Sequence, residues 1–175
     1  MEVSYDHLQP GDIVAFKGEG ITFKVLSSVL SLVEPSWRRR KWKPWHVAVV
    51  MYLPNPTTLV TFEAVGGEGN QLVVYDDIKY LSDTKFYRFL PEVPSEELRE
   101  GFVGLYQGWP YDNWAYVWVI LGWIWHRLTG KWWHVVDQAN MCWETVISWA
   151  RFTHYPLQLE WEFPFLPRIL EKLES

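Results

Sequence analysis

The spacing of apolar residues changes along the chain, and the change falls near residue 90. Before it, most apolar runs are short and β-like. Leu8-Gln9-Pro10-Gly11-Asp12 reads as a turn, and Ile13–Phe16 follows as a strand. Ile21, Val25, Leu26, Val29, Leu30 and Val33 recur at helical spacing, which predicts a helix over 21–33 closed by Pro35. His46–Tyr52 is an apolar strand that ends at Pro54-Asn55-Pro56. Thr58–Val65 alternates and stops at Gly66-Gly67. Gln71–Tyr75 and Lys85–Leu90 complete an antiparallel meander of about five strands.

Beyond residue 90 the pattern is helical. Ser95 is placed to cap a helix whose first turn carries Glu96 and Glu97, and Gly108 marks its end. Asp112–Arg127 predicts a helix apolar nearly all round, with Trp114, Val117, Trp118, Leu121 and Trp125 on one side and Val119, Ile120 and Trp123 elsewhere. Asn140 caps a third helix over Met141–Arg151, and a Pro-containing tail with a short helix finishes the chain. Strands first and helices later predict an α+β fold, an antiparallel sheet packed against helices. The 175 residues fit one domain, 1–175, with a core of about 8–152 and a tail of 153–175.

Composition narrows the picture. Hydrophobic residues at 49% and charged residues at 21% exclude intrinsic disorder as the main state. A net charge of −5 argues against a nucleic-acid partner. The N-terminal Met1-Glu2-Val3-Ser4 shows no basic region followed by an apolar one, so no signal peptide is expected. The stretch 113–126, which carries no Asp, Glu, Lys or Arg, is too short for a transmembrane span. The expected location is the cytoplasm, or a phage or virion that carries the protein. Two counts stand out: 13 Trp and one Cys. A lone Cys has no partner for an internal disulfide and cannot build a thiolate zinc site.

That Cys, Cys142, falls in the first turn of the third predicted helix. Unpaired backbone N–H groups and the positive end of the helix dipole favour a thiolate there, and the same N–H groups can receive an oxyanion. Its plainer role is that of a small buried hydrophobe. A nucleophilic Cys needs a base and a group that orients the base. His46 opens a strand beside a loop, which suits a cleft and equally suits a surface position. Glu63 lies within the apolar stretch Val60-Thr61-Phe62-Glu63-Ala64-Val65. A carboxylate there is costly unless it is paired or faces solvent. A hairpin of the 46–52 and 58–65 strands brings it towards His46.

Taken in order, Pro10-Gly11-Asp12, the 21–33 helix, His46-Val47-Ala48-Val49, Glu63-Ala64, Gly108-Trp109-Pro110-Tyr111-Asp112 and Cys142-Trp143-Glu144 form a series. The series resembles the circularly permuted branch of the NlpC-type, papain-like cysteine hydrolases, the YiiX-like group, over roughly residues 8–152. The resemblance implies a permuted papain-like fold with the nucleophile at a helix N-terminus. It implies Cys142 as nucleophile, His46 as base and Glu63 as the third polar member, with no cofactor or metal. The implied activity is that of a cysteine peptidase or amidase working through a thioester, with cell-wall peptidoglycan peptides as substrate. Tyr111 and Asp112 match the group's Tyr-Asp segment near the cleft, although Asp112 equally suits a helix cap. The group commonly has Ser after the Cys, where this chain has Trp143. A bulky ring there reshapes the substrate slot.

Aromatic and basic clusters add alternatives. The Trp-rich helix suits a buried core helix, a hydrophobic wall for an acyl substrate, or a surface that touches lipid. Relatives of the permuted group, the lecithin-retinol acyltransferase type, act on acyl chains. A thiol acyltransferase or thioesterase on lipid-like substrates is therefore a second expectation, and an inactive interaction module a third. Arg38, Arg39, Arg40, Lys41 and Lys43 lie between Trp37 and Trp45, immediately before His46. This loop is either solvated or the rim of a cleft, with Arg40 and Trp45 as substrate contacts for carboxylates or phosphates. His126, His134 and Asp137 lack the spacing of a metal site.

Overall fold

The computed structural model describes residues 1–21, 24, 27–28, 31, 35–77, 81, 83–88, 90–112, 117, 121–122, 124–125, 128–130, 142–155 and 174. Among them the strands are β1 (Glu2–Val3), β2 (Ile13–Lys17), β3 (Pro44–Asn55), β4 (Thr58–Val65), β5 (Gly69–Tyr75) and β6 (Thr84–Tyr87). The helices are α1 (Pro35–Arg39), α2 (Glu96–Tyr106) and α3 (Cys142–Phe152). A short 3-10 turn, Tyr5–His7, follows β1. The class is α+β, with an antiparallel sheet as its centre.

The expected meander accounts for four neighbours, β2-β3-β4-β5, and needs correction beyond them. The sheet has six strands in the order β1-β6-β2-β3-β4-β5. β6 does not continue past β5. It returns to the far edge of β2, where Ile13 faces Tyr87 and Phe16 faces Thr84. β1 then adds to β6 through Glu2 and Val3, too short a segment for an apolar pattern to reveal. The return leaves β2 and β3 as inner strands, paired on both sides. Val47 to Met51 are accordingly all fully buried. An inner strand covered on both faces reads as a continuous apolar run.

Two apolar clusters lie on the two faces. Val47, Val49, Met51 and Phe62 join Phe102 of α2 and Val146, Ile147, Trp149 and Ala150 of α3. Val14, Ala48, Val50, Leu59 and Phe86 form the other. Phe102 is the hub of the first. Its ring centroid lies 5.3 Å from Phe62, 4.9 Å from Trp149, 4.7 Å from Tyr106 and 5.5 Å from Phe152. These contacts seat α3 against β3 and β4.

The helix starts follow local chemistry. Ser95 Oγ accepts the Leu98 N–H at 3.2 Å, with Glu96 and Glu97 in the first turn of α2, as expected. α2 ends at Tyr106, and Gly108 turns the chain with φ +81°. The predicted basic loop begins instead as the short helix α1. Of the 21–33 helix, Ile21, Lys24, Ser27, Ser28 and Ser31 are described and helical. Of the Trp-rich helix, Val117, Leu121, Gly122, Ile124 and Trp125 are described and helical, and Leu128 and Thr129 extend it past Arg127. Trp114, Trp118, Trp123, the Asn140 cap and nearly all of the C-terminal tail lie outside the described residues. No helix among the described residues is long and apolar enough to cross a membrane.

Pro10-Gly11-Asp12 is a structural clasp. Gly11 has φ +94°, and a Cβ there would meet Pro94 Cδ at 2.9 Å. Asp12, buried, accepts Arg88 Nε at 3.0 Å, Arg88 Nη2 at 2.9 Å and the Gln9 N–H at 2.9 Å. The Gly11 N–H donates to Val50 O at 2.7 Å and the Val50 N–H to Asp12 O at 2.8 Å, which extends the β2–β3 pairing to the turn.

Candidate active site

The site forms where two strands run on past their shared ladder. The β3–β4 register runs from Asn55↔Thr58 to Val49↔Phe62. His46 lies on β3 and Glu63 on β4, just beyond that last pair. Each strand is held on its other side, His46 opposite Phe16 of β2 and Glu63 opposite Gln71 of β5. The two side chains meet across the gap, with His46 Nε2 2.7 Å from Glu63 Oε2.

Glu63 is 3% exposed, so its place in an apolar strand is not a solvent-facing one. Its remaining oxygen is occupied as well. Glu63 Oε1 accepts the Tyr75 hydroxyl at 2.9 Å and, more closely, the Thr61 hydroxyl. Burial favours the neutral acid. The His46 hydrogen bond and charge, with the Thr61 and Tyr75 hydroxyls, overcome it and hold the carboxyl below its ordinary range. Burial and the Glu63 charge push the Tyr75 phenol up, which keeps it a donor.

His46 bridges the two clusters. Its ring lies 5.5 Å from that of Phe16, which packs on the second cluster. It also hydrogen-bonds the side chain of Cys142, which belongs to the first. Burial draws the imidazole towards its neutral form. The hydrogen bonds to Cys142 and Glu63, and then the charges of both, outweigh it and push the pKa up to about 10.

Cys142 is the first residue of α3. The thiol is 1% exposed, whereas the His46 side chain is 22% exposed, so the imidazole is the solvent-facing member of the pair. Glu144 shares the first helical turn. Tyr111 stands within the electrostatic reach of the same group. Burial first, then the charges of Cys142, Asp112 and Glu144, push its phenol well above the ordinary value. Tyr111 arrives there because its segment is pinned to β5. The Asn70 N–H donates to Trp109 O at 2.9 Å and the Gly108 N–H to Asn70 O at 2.8 Å. A Cβ on Gly69, which has φ +84°, would collide with Trp109 O.

The structure therefore brings together His46, Glu63 and Cys142, with Tyr111 packed on the cluster that holds Cys142 and Asp112 next to Tyr111 in the chain. The other expected contacts have different surroundings. Trp143 is buried among the residues that seat α3. Trp45 is half-buried on β3. The Arg40 guanidinium forms a two-point pair with Glu174, Nη1 to Oε1 at 2.7 Å and Nη2 to Oε2 at 2.8 Å. Of the neighbouring Trp residues, Trp37 is buried and donates Nε1–H to Ser27 Oγ at 3.1 Å, and Trp42 donates to Asp83 O at 3.2 Å. Thr61 and Tyr75 were missed by sequence reasoning. Thr61 carried a faint signal, since it is two residues from Glu63 and so shares its strand face. Tyr75 carried none before the β4–β5 register was known. Among the described residues no three His, Cys, Asp or Glu side chains gather as a metal group, and His126, His134 and Asp137 lie outside them.

No protein-family model matches the chain, and no curated protein matches it.

Proposed function

We propose that the chain is a cysteine hydrolase of the permuted papain-like, NlpC-type kind, with Cys142 as nucleophile, His46 as base and Glu63 as the group that orients it. The observation that carries this reading is one imidazole shared between a buried carboxylate at 2.7 Å and a thiol at the start of a helix. Cys142 loses its proton to His46, and the thiolate attacks a carbonyl carbon to form a carbon–sulfur bond. Backbone N–H groups in the first turn of α3 receive the oxyanion. The His46 imidazolium protonates the departing amine as the carbon–nitrogen bond breaks, leaving a thioester. His46 then takes a proton from water, whose oxygen displaces the sulfur. Glu63 holds the ring through Nε2 and stabilises its charge.

The substrate class that fits the resemblance is an amide in peptidoglycan peptides, met in the cytoplasm or delivered by a phage particle. A second reading, an acyltransferase or thioesterase for lipid-like substrates, draws on a different observation. Val117, Leu121, Ile124, Trp125 and Leu128 recur at helical spacing and are exposed, Leu128 by 78%.

The test is turnover and adduct trapping. The wild type is expected to release peptides from muropeptides and to show a mass adduct on Cys142. Cys142→Ala and His46→Ala are each expected to lose at least about 10³-fold in kcat. Full activity in both variants refutes the mechanism. Turnover of acyl esters without muropeptide cleavage selects the second reading. No adduct and no turnover with either class leaves an interaction module.

A further inference from the structure

We propose that Thr61 and Tyr75 are positioning residues, whose hydroxyl groups hold Glu63 ionised and turned so that Oε2 meets His46. The inference rests on the proposed function for its catalytic meaning, but its geometry stands by itself. The two oxygens of Glu63 divide their work. Oε2 takes His46 Nε2 at 2.7 Å. Oε1 takes Tyr75 Oη at 2.9 Å and the Thr61 hydroxyl. Thr61 and Glu63 are both almost completely buried, so solvent cannot replace a missing donor.

Register puts all three on one face. Thr61 and Glu63 are two apart on β4, and Tyr75 of β5 faces Leu59, two residues before Thr61. A carboxyl group in such a place tends to take a proton. Protonated, it loses the negative charge that stabilises the His46 imidazolium, and its O–H can compete as a donor. Two neutral hydroxyl donors prevent this without adding a charge that would repel His46. They also fix the rotation of the carboxylate plane. A lysine or arginine in their place would hold Glu63 ionised too, but would weaken the imidazolium by like-charge repulsion.

The titratable neighbours leave this division intact. Cys142 approaches His46 from α3, and the charges of Cys142, Asp112 and Glu144 fall on Tyr111, in the segment after α2. Lys17, at the end of β2, is engaged by Asp83 at 2.9 Å. Tyr75 also keeps its ring 5.5 Å from Phe16, a contact that Tyr75→Phe preserves.

The experiment uses the full chain and NMR, with Tyr75→Phe and Thr61→Val as separate variants. Each is expected to raise the proton affinity of the Glu63 carboxyl about tenfold, the effect of one hydrogen bond to a charged group. The His46 Nε2–H resonance, far downfield in the wild type through its bond to Glu63, is expected to move upfield. Iodoacetamide labelling of Cys142 at neutral pH is expected to slow in both variants. In a Glu63→Gln background neither substitution is expected to change the labelling rate further. An unmoved Glu63 titration and an unmoved His46 resonance in both folded variants overturn the inference. Labelling of Cys142 that does not depend on His46 overturns the proposed mechanism instead, and the Glu63 titration then still decides the positioning role.

Discussion

An imidazole set between a carboxylate and a thiol has its charge fixed by both. For His46 the balance is burial against two partners, and the partners win, with a pKa of about 10. The sign of the linkage follows. A pKa raised above the ordinary ~6.5 stabilises the fold fully below that value, and the contribution disappears as pH rises through 10. Glu63 runs the other way. Its lowered pKa stabilises the fold above its ordinary range of ~4.3, and that contribution disappears as pH falls. The pair is therefore fully effective between roughly pH 4.3 and 6.5. Urea midpoints of wild type and His46→Ala should differ most in that window and converge towards pH 10. A difference that grows steadily above pH 6.5 contradicts the assignment of charge.

The same residues show what a sequence exposes. Glu63 was legible because a carboxylate in an apolar strand requires a reason, and His46 because a strand offered it. Cys142 was legible as the lone thiol at a helix start. Thr61 and Tyr75 were not, since hydroxyl groups fit a strand face without any partner. The pairing of Arg40 with Glu174 was not legible either, since the two lie 134 positions apart. Nothing in local spacing carries a pairing over that distance.

At the scale of elements, the site depends on where α3 begins, and α3 is held by aromatic packing. Phe102 touches Phe62 of β4 and Trp149 of α3, so it joins the strand of Glu63 to the helix of Cys142. Removing it forfeits both buried area and the ring contacts, each ~0.5–1.5 kcal/mol beyond burial. Phe102→Ala should cost about 3–5 kcal/mol in urea unfolding, and Phe102→Leu clearly less. If the truncation costs under about 1 kcal/mol, the hub role is wrong. The β2-to-β5 meander was readable from alternation and turns, because neighbours in sequence became neighbours in the sheet. The placement of β6 was not. Its four residues pair equally well with any free edge, and the choice of β2 over β5 is made by tertiary contacts such as Tyr87 in the first cluster.

Across the whole molecule, the turn before β2 is tied to the end of the return strand by the ion pair of Asp12 with Arg88. Asp12 lies in the turn before β2 and Arg88 directly after β6, 76 positions apart. Arg88 also exchanges backbone hydrogen bonds with Met1, its N–H to Met1 O at 2.9 Å and the Met1 ammonium to Arg88 O at 3.1 Å. The clasp thus closes β1 and β6 onto the turn that precedes β2, whose strand supports His46 through Phe16. The Asp12 side chain is 2% exposed and that of Arg88 23%. A carboxylate so deeply placed depends on its partner more than the partner depends on it. Arg88→Ala leaves that charge buried and should cost about 3 kcal/mol. Asp12→Asn keeps the shape, and its oxygen still takes the Gln9 N–H, so its cost should be smaller. Adding Asp12→Asn to Arg88→Ala should then recover part of the loss, because the uncompensated charge is gone. A double-mutant cycle by urea denaturation measures that recovery. Strictly additive losses would mean that the pair is a surface contact whose removal strands no charge.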